Sequence, residues 1–222
     1  MLVLAFDTAT PAVTVALHDG RRTLAESTVI DARRHGELLM PGVSAVLGDA
    51  GVAREEITHI AVGTGPGPYT GLRVGLMTAQ ALATALGVSS YGVCTLDVLA
   101  YESGLTGPFL VATDARRKEV FWAEYAGQRT RVRGPAVDRP GDVPGDLPIL
   151  GYGAKLYPEA VGAARIVAGA PEHPSAAALA ALAAEEIAAG RTAGAVLTDP
   201  RPIYLRRPDA KIPGPPKKVT VL

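Results

Sequence analysis

The sequence predicts an α/β protein of two lobes, a first over residues 1–104 and a second, smaller one over 105–222. An apolar run at 2–6 ends in Asp7, and two strand-like segments follow at 13–17 and 23–29. Asp19-Gly20 between those two is a strong two-residue hairpin signal. The same opening then recurs. An apolar run at 109–113 ends in Asp114, an alternating segment at 119–125 follows, and Gly127 turns the chain into a third segment at 130–133. Strand-like and helix-like segments alternate between the two meanders, and 48% of the 222 residues are apolar, enough to cover sheets with helices.

Periodicity and punctuation define the other elements. Residues 35–50 place Leu38, Leu39, Val43, Val46 and Leu47 at helical spacing, with Gly51 as the C-terminal cap. Pro41 either belongs to the first turn of a helix that starts later or kinks this one. Residues 57–62 read as a buried strand, and a helix over 72–86 is closed by Gly87. A short strand follows at 88–93, then a helix over 95–102 with Thr95 as N-cap. Residues 134–148 are rich in Pro, Gly and Asp and read as loop, and 149–153 read as a short strand with a turn. The alanine-rich segment 175–189 is a helix capped by Ser175 and stopped by Gly190. Six prolines after residue 198 predict an extended tail, and residues 201–222 carry six Lys or Arg against one Asp.

Composition excludes several function classes. Lys plus Arg and Asp plus Glu number 22 each, so no global field draws nucleic acid or a membrane. The single cysteine, Cys94, excludes a disulfide framework within the chain and fits a reducing, cytoplasmic setting. Asp7 interrupts the first apolar run too early for a signal peptide. His18, His35, His59 and His173 show no metal-binding spacing, so no metal or cofactor is expected. No Gly-x-Ser-x-Gly exists, and no catalytic residue is assigned.

Between strand and helix lies Gly63-Thr64-Gly65-Pro66-Gly67-Pro68-Tyr69-Thr70-Gly71-Leu72-Arg73-Val74-Gly75. A dinucleotide fingerprint beginning at Gly63 meets Pro68 where its third glycine belongs. A nucleoside-triphosphate loop requires a lysine, and none occurs before Lys118. Two prolines also remove N–H donors from any phosphate cradle. The stretch reads as a rigid strand-to-helix turn, with a ligand loop as the alternative. Asp7, beside Thr8 and Thr10, either orients Mg²⁺ or a phosphate, or forms an Asx-turn. Arg116-Arg117-Lys118 is a solvated hairpin tip or a phosphate contact. Helix 72–86 shows Leu72, Leu76, Ala79, Leu82, Ala83 and Leu86 on one face and Val74, Met77, Ala81 and Ala85 on the other. A helix apolar all round is buried on both sides: one side covers the sheet, and the other meets a partner or the chain's own second lobe.

The duplicated meander, the Asp7-Thr8-Ala9-Thr10 opening and the glycine-proline stretch together resemble the bacterial TsaB (YeaZ) family of tRNA threonylcarbamoyladenosine biosynthesis proteins. The likeness is close over residues 1–103 and looser through 109–121 and 202–206. It implies the actin, sugar-kinase and Hsp70 (ASKHA) fold, with a mixed sheet flanked by helices in each lobe. It implies a non-catalytic dimerisation or scaffold subunit, acting with a TsaD-like catalytic subunit and a TsaE-like ATPase. Together these transfer threonylcarbamoyl to N6 of the adenosine beside the anticodon, with tRNA contacted only within the complex and no membrane involved. The pairing surface implied is the two first-lobe helices. The residues that match are His35, Leu39, Val43, Leu47, Leu72, Gly75, Leu76, Ala79, Leu82 and Ala83, and the partner is a second copy or the catalytic relative. Catalytic relatives hold metal through two histidines where only His35 stands here. Nucleotide-binding members of the fold carry a glycine turn where Asp114-Ala115-Arg116-Arg117 stands here. Asp7, Thr8, Thr10 and Asp114 are thus remnants of a nucleotide cleft. A small ATP-dependent phosphotransferase using Asp7 and Asp114, or a peptidase, are the competing readings.

Overall fold

The computed structural model describes residues 1–206; the basic end of the tail, 207–222, lies outside the described residues. Strands β1 (Val3–Asp7), β2 (Ala12–His18) and β3 (Thr23–Ile30) form the expected antiparallel meander. β1 takes β4 (His59–Gly63) as a parallel neighbour, and β4 takes β5 (Ser89–Val93), so the order is β3-β2-β1-β4-β5. The second sheet repeats the plan. β6 (Phe109–Asp114), β7 (Val120–Gly127) and β8 (Thr130–Asp138) are antiparallel, and β9 (Ile149–Leu150) joins β6 in parallel, giving β8-β7-β6-β9.

β1 is buried on both faces, which is why it reads as an unbroken apolar run. Its alternate side chains serve different layers. Leu4 and Phe6 pack with Leu39 and Val43 of α1 (His35–Ala50) and with Leu76 and Ala79 of α2 (Tyr69–Leu86). Val3 and Ala5 pack on the other face with Val98 of α3 (Thr95–Ser103) and with Leu179, Ala180 and Ala183 of α6 (Ala176–Ala188). α6 follows the second sheet in the chain but lies on the first, and its alanines allow that close approach. α3 stands between the sheets. It sends Val98 to the first and Leu96, Leu99 and Ala100 to Phe109, Val111 and Tyr125 of the second. The far face of the second sheet is covered by Ala154 of α4 (Tyr152–Leu156) and Val161 of α5 (Pro158–Val161).

The sequence expectations need correction in several places. α1 runs unbroken from His35 to Ala50 with Pro41 inside it. Pro41 and Glu37, whose carbonyl loses its helical donor there, are both exposed, so the proline sits on the solvent side of the helix. α2 begins at Tyr69, with Pro68 at its N-cap, rather than at residue 72. The N-cap of α3 is Cys94, not Thr95, because the Thr95 hydroxyl is committed elsewhere. β8 continues to Asp138 through part of the expected loop. Pro135 is tolerated because β8 is an edge strand, and Trp122 Nε1 donates to Asp138 at 2.8 Å. α4 and α5 were not foreseen; elements of five and four residues carry no readable period.

Candidate functional site

The loop from β1 to β2 lies across the glycine-proline stretch. Asp7 Oδ1 accepts from Ala9 N–H at 2.6 Å, an Asx-turn, and Asp7 Oδ2 accepts from the Thr95 hydroxyl at 2.7 Å. Thr95 Oγ1 in turn accepts from Gly65 N–H at 3.1 Å. Thr8 Oγ1 donates to the Gly71 carbonyl at 2.7 Å and accepts from Gly75 N–H at 3.1 Å, which pins the loop to the first turns of α2. The glycines explain themselves against this loop. A Cβ at Gly63 would lie 1.9 Å from Asp7 Oδ2, at Gly67 2.2 Å from the Ala9 carbonyl oxygen, and at Gly71 2.5 Å from that of Thr8. At Gly75 it would lie 2.6 Å from Thr8 Oγ1. Glycines at four-residue intervals are therefore a seat for the chain's own loop. Asp7 is fully buried, and burial pushes its carboxyl above the usual range against hydrogen bonds from Thr95 and Ala9 and the charge of His35, which pull it down.

Asp114 ends β6 as Asp7 ends β1, and its Oδ1 accepts from Arg116 N–H at 2.8 Å. The turn that follows holds Arg116, Arg117 and Lys118 at φ of 61°, 57° and 61°, a left-handed run without a glycine. Such residues cost on the order of 1–2 kcal/mol each. Arg206 braces the turn, donating to the Ala115 carbonyl at 2.8 Å and pairing with Glu119. Thr10 is committed within the first loop: its carbonyl meets His35 Nε2 at 2.8 Å, and its hydroxyl accepts from Ala12 N–H at 3.2 Å. Asp7, Thr8 and Thr10 thus form one cluster, while Asp114 belongs to the second sheet's own turn.

The helix-pair residues divide by direction. Leu39, Val43, Leu72, Leu76 and Ala79 are at most 3% exposed and belong to the chain's own core, with Gly75 closed against Thr8. His35, Leu47, Leu82 and Ala83 are half-buried. The outward faces are made instead by Glu37, Met40, Pro41, Ser44, Ala45 and Asp49 on α1 and by Tyr69, Arg73, Met77, Gln80, Ala81, Thr84 and Ala85 on α2. Periodicity identified an apolar stripe correctly but could not say that the sheet claims it.

Cys94 and Asp97 lie where α3 meets the second sheet, beside Tyr125 and Arg131. Burial, then the charge of Asp97, pushes the Cys94 thiol up to about 12. Burial also raises Asp97, against the pull of Arg131, which donates to it at 3.0 Å, and of Tyr125, which donates at 2.7 Å. The sequence reading missed Thr95 and Arg206 as partners of these loops, and Tyr204, whose ring stacks on Tyr69 at the start of α2. Their contacts join distant parts of the chain, and no local pattern announces them.

The family model described as "TsaD: tRNA N6-adenosine threonylcarbamoyltransferase" matches residues 22–158. An uncharacterized protein of Mycobacterium tuberculosis is 44% identical over 220 residues, covering 94% of this chain and 93% of that protein. The tRNA threonylcarbamoyladenosine biosynthesis protein TsaB of Escherichia coli is 33% identical over 234 residues, covering 96% of this chain and 99% of that one. Among solved structures, YeaZ from Pseudomonas aeruginosa superposes with a TM-score of 0.73 at 31% identity, covering 92% of this chain and 99% of that one.

Proposed function

This chain belongs to the TsaB (YeaZ) family and to tRNA threonylcarbamoyladenosine biosynthesis, and from that premise we propose that it serves there as a non-catalytic subunit, docked on a TsaD-like threonylcarbamoyltransferase through the outward faces of α1 and α2. The observation that carries the reading is the closed Asp7 site. A carboxylate that is to orient a metal or a phosphate must be reachable, and this one is enclosed by Gly63, Thr95 and its own loop. What the first lobe offers outward is a helix pair bearing Met40 and Met77, at 44% and 51% exposure. Methionine is a soft, adaptable apolar contact suited to a partner surface. A second copy would compete for the same faces. A TsaE-like ATPase completes the proposed assembly, which engages tRNA in the cytoplasm.

Charge on the outward faces tests the reading. In Met40→Glu/Met77→Glu both carboxylates point away from the core, so the protein is expected to stay folded. Docking would bury them unpaired, costing about 3–5 kcal/mol of association, more than a hundredfold in affinity. Leu76→Glu, by contrast, places its charge in the core, where Leu76 is 2% exposed, and is expected to unfold the lobe. Co-purification with a TsaD-type subunit, with circular dichroism on each variant, checks both. A folded double variant that still co-purifies overturns the docking face.

A further inference from the structure

Two hollows adjoin at the mouth between the lobes. The larger, about 500 Å³, is lined by Tyr69, Phe121, Tyr204 and Leu205 together with Arg116, Arg117 and Arg206. The smaller, about 240 Å³, is lined by Thr8, Thr10, Thr70, Arg33 and His35. Pro68 and Arg116 border both. Among the described residues, neither lining includes an aspartate or a glutamate. Asp114 and Glu119, outside the linings, pair with Arg116 and Arg206. The linings are therefore rich in arginine although the chain as a whole is neutral.

The larger hollow also holds a stacked pair. The rings of Tyr69 and Tyr204 lie 5.5 Å apart at 25°, and the Arg73 guanidinium sits 5.0 Å over Tyr69. Both rings are about half exposed, at 55% and 46%, so the stack is not a core contact. Planar exposed faces next to arginines are the chemistry that holds unstacked bases, and the exposed Thr70 with arginines one step away suits the adjoining phosphate. The three left-handed residues at Arg116 to Lys118 place strain at this rim, where it sets the position of Arg116 between the hollows.

The geometry points to a binding site for single-stranded RNA, one base stacked on the exposed ring of Tyr204, which Tyr69 backs, and its phosphate shared between Arg116 and Arg33. The choice of RNA among polyanions rests on the family's role in tRNA modification. The site alone binds weakly, in the range of non-specific contacts, roughly 1–100 μM.

Fluorescence anisotropy of the full chain with a labelled, unstructured octamer of adenylate tests this without any partner protein. Tyr204→Ala is expected to weaken binding by about fivefold or more, and Tyr204→Phe to retain it. Arg116→Gln should weaken binding and lower the slope of log affinity against log salt by about 0.7. No binding up to millimolar chain, or equal binding by Tyr204→Ala, overturns the site. Displacement by adenosine monophosphate as effective as by unlabelled octamer overturns RNA as the occupant, and displacement by polyglutamate of matched charge overturns base stacking. Met40→Glu/Met77→Glu leaves these hollows untouched, so it should bind the octamer like the parent. Loss of docking and loss of RNA binding are thereby read separately.

Discussion

Asp7 carries its carboxylate into a fully enclosed place, and that has a pH signature. Its folded pKa lies above the 3.8 of an exposed aspartate, chiefly through burial. The folded chain therefore holds this proton more tightly than the unfolded chain does. The stability Asp7 contributes is fully present below pH 3.8 and is lost as pH rises through the raised folded value. Asparagine has the same shape and no such proton, and the Thr95 hydroxyl can turn to accept from its amide. Asp7→Asn is expected to gain on the parent as pH rises from 3.8, levelling off once folded Asp7 is ionised. Asp7→Ala leaves Ala9 N–H and the Thr95 hydroxyl without their acceptor, and should cost about 1–3 kcal/mol relative to asparagine. Urea unfolding at a series of pH values measures both. A flat difference between parent and Asp7→Asn would contradict the assignment.

At the scale of the element, α1 and α2 contain glycines that play opposite parts. Gly75 in α2 faces Thr8 Oγ1, which would be 2.6 Å from an added Cβ. Thr8 cannot retreat, because it is tied to Gly71 and Gly75 together. Alanine is the better helix former by about 1 kcal/mol, but crowding a packed contact costs typically 1–3 kcal/mol, so the clash wins. Gly48 in α1 is exposed, and a Cβ added there would meet nothing within 4 Å. Gly48→Ala is therefore expected to stabilise by about 0.5–1 kcal/mol and Gly75→Ala to destabilise. Thermal melts of the two variants should move in opposite directions. A shared sign would mean that Thr8 does not hold the helix start.

Across the whole molecule, the two sheets are not separable units. α3 has a side chain in each, and α6 covers Val3, Ala5 and Ala61 of the first. The chain end closes further seams: Gly92 exchanges hydrogen bonds with Thr198 at 2.8 and 3.0 Å, and Ile203 N–H donates to the Thr64 carbonyl at 2.9 Å. A fragment of residues 1–104 keeps every strand of the first sheet but loses the helix over one face. Exposed apolar strands of that kind associate rather than fold. Such a fragment is expected to lack a cooperative unfolding transition and to aggregate, which calorimetry and light scattering would register. A monomeric fragment with a sharp transition would show that α6 is dispensable to the first sheet.

By itself the sequence determined what depends on near neighbours. The paired meanders, whose first strands end at Asp7 and Asp114, the bounds of α1 at His35 and Ala50, and the left-handed caps at Gly51 and Gly87 follow from side-chain period and backbone freedom. The glycine-proline stretch was legible as a rigid turn for the same reason. Its purpose was not, because the Asp7 loop that requires those glycines comes from a strand far back in the chain. Thr95 lies 88 residues from the aspartate it serves, and no local motif reaches that far. The apolar stripe of α2 was visible, but whether a sheet or a partner covers it depends on where the sheet lies. Only the tertiary structure decided that Leu76 and Ala79 face inward, that Met40 and Met77 face outward, and that Tyr204 returns to stack on Tyr69. Period and capping are written in adjacent residues, whereas direction and enclosure are properties of the packed chain.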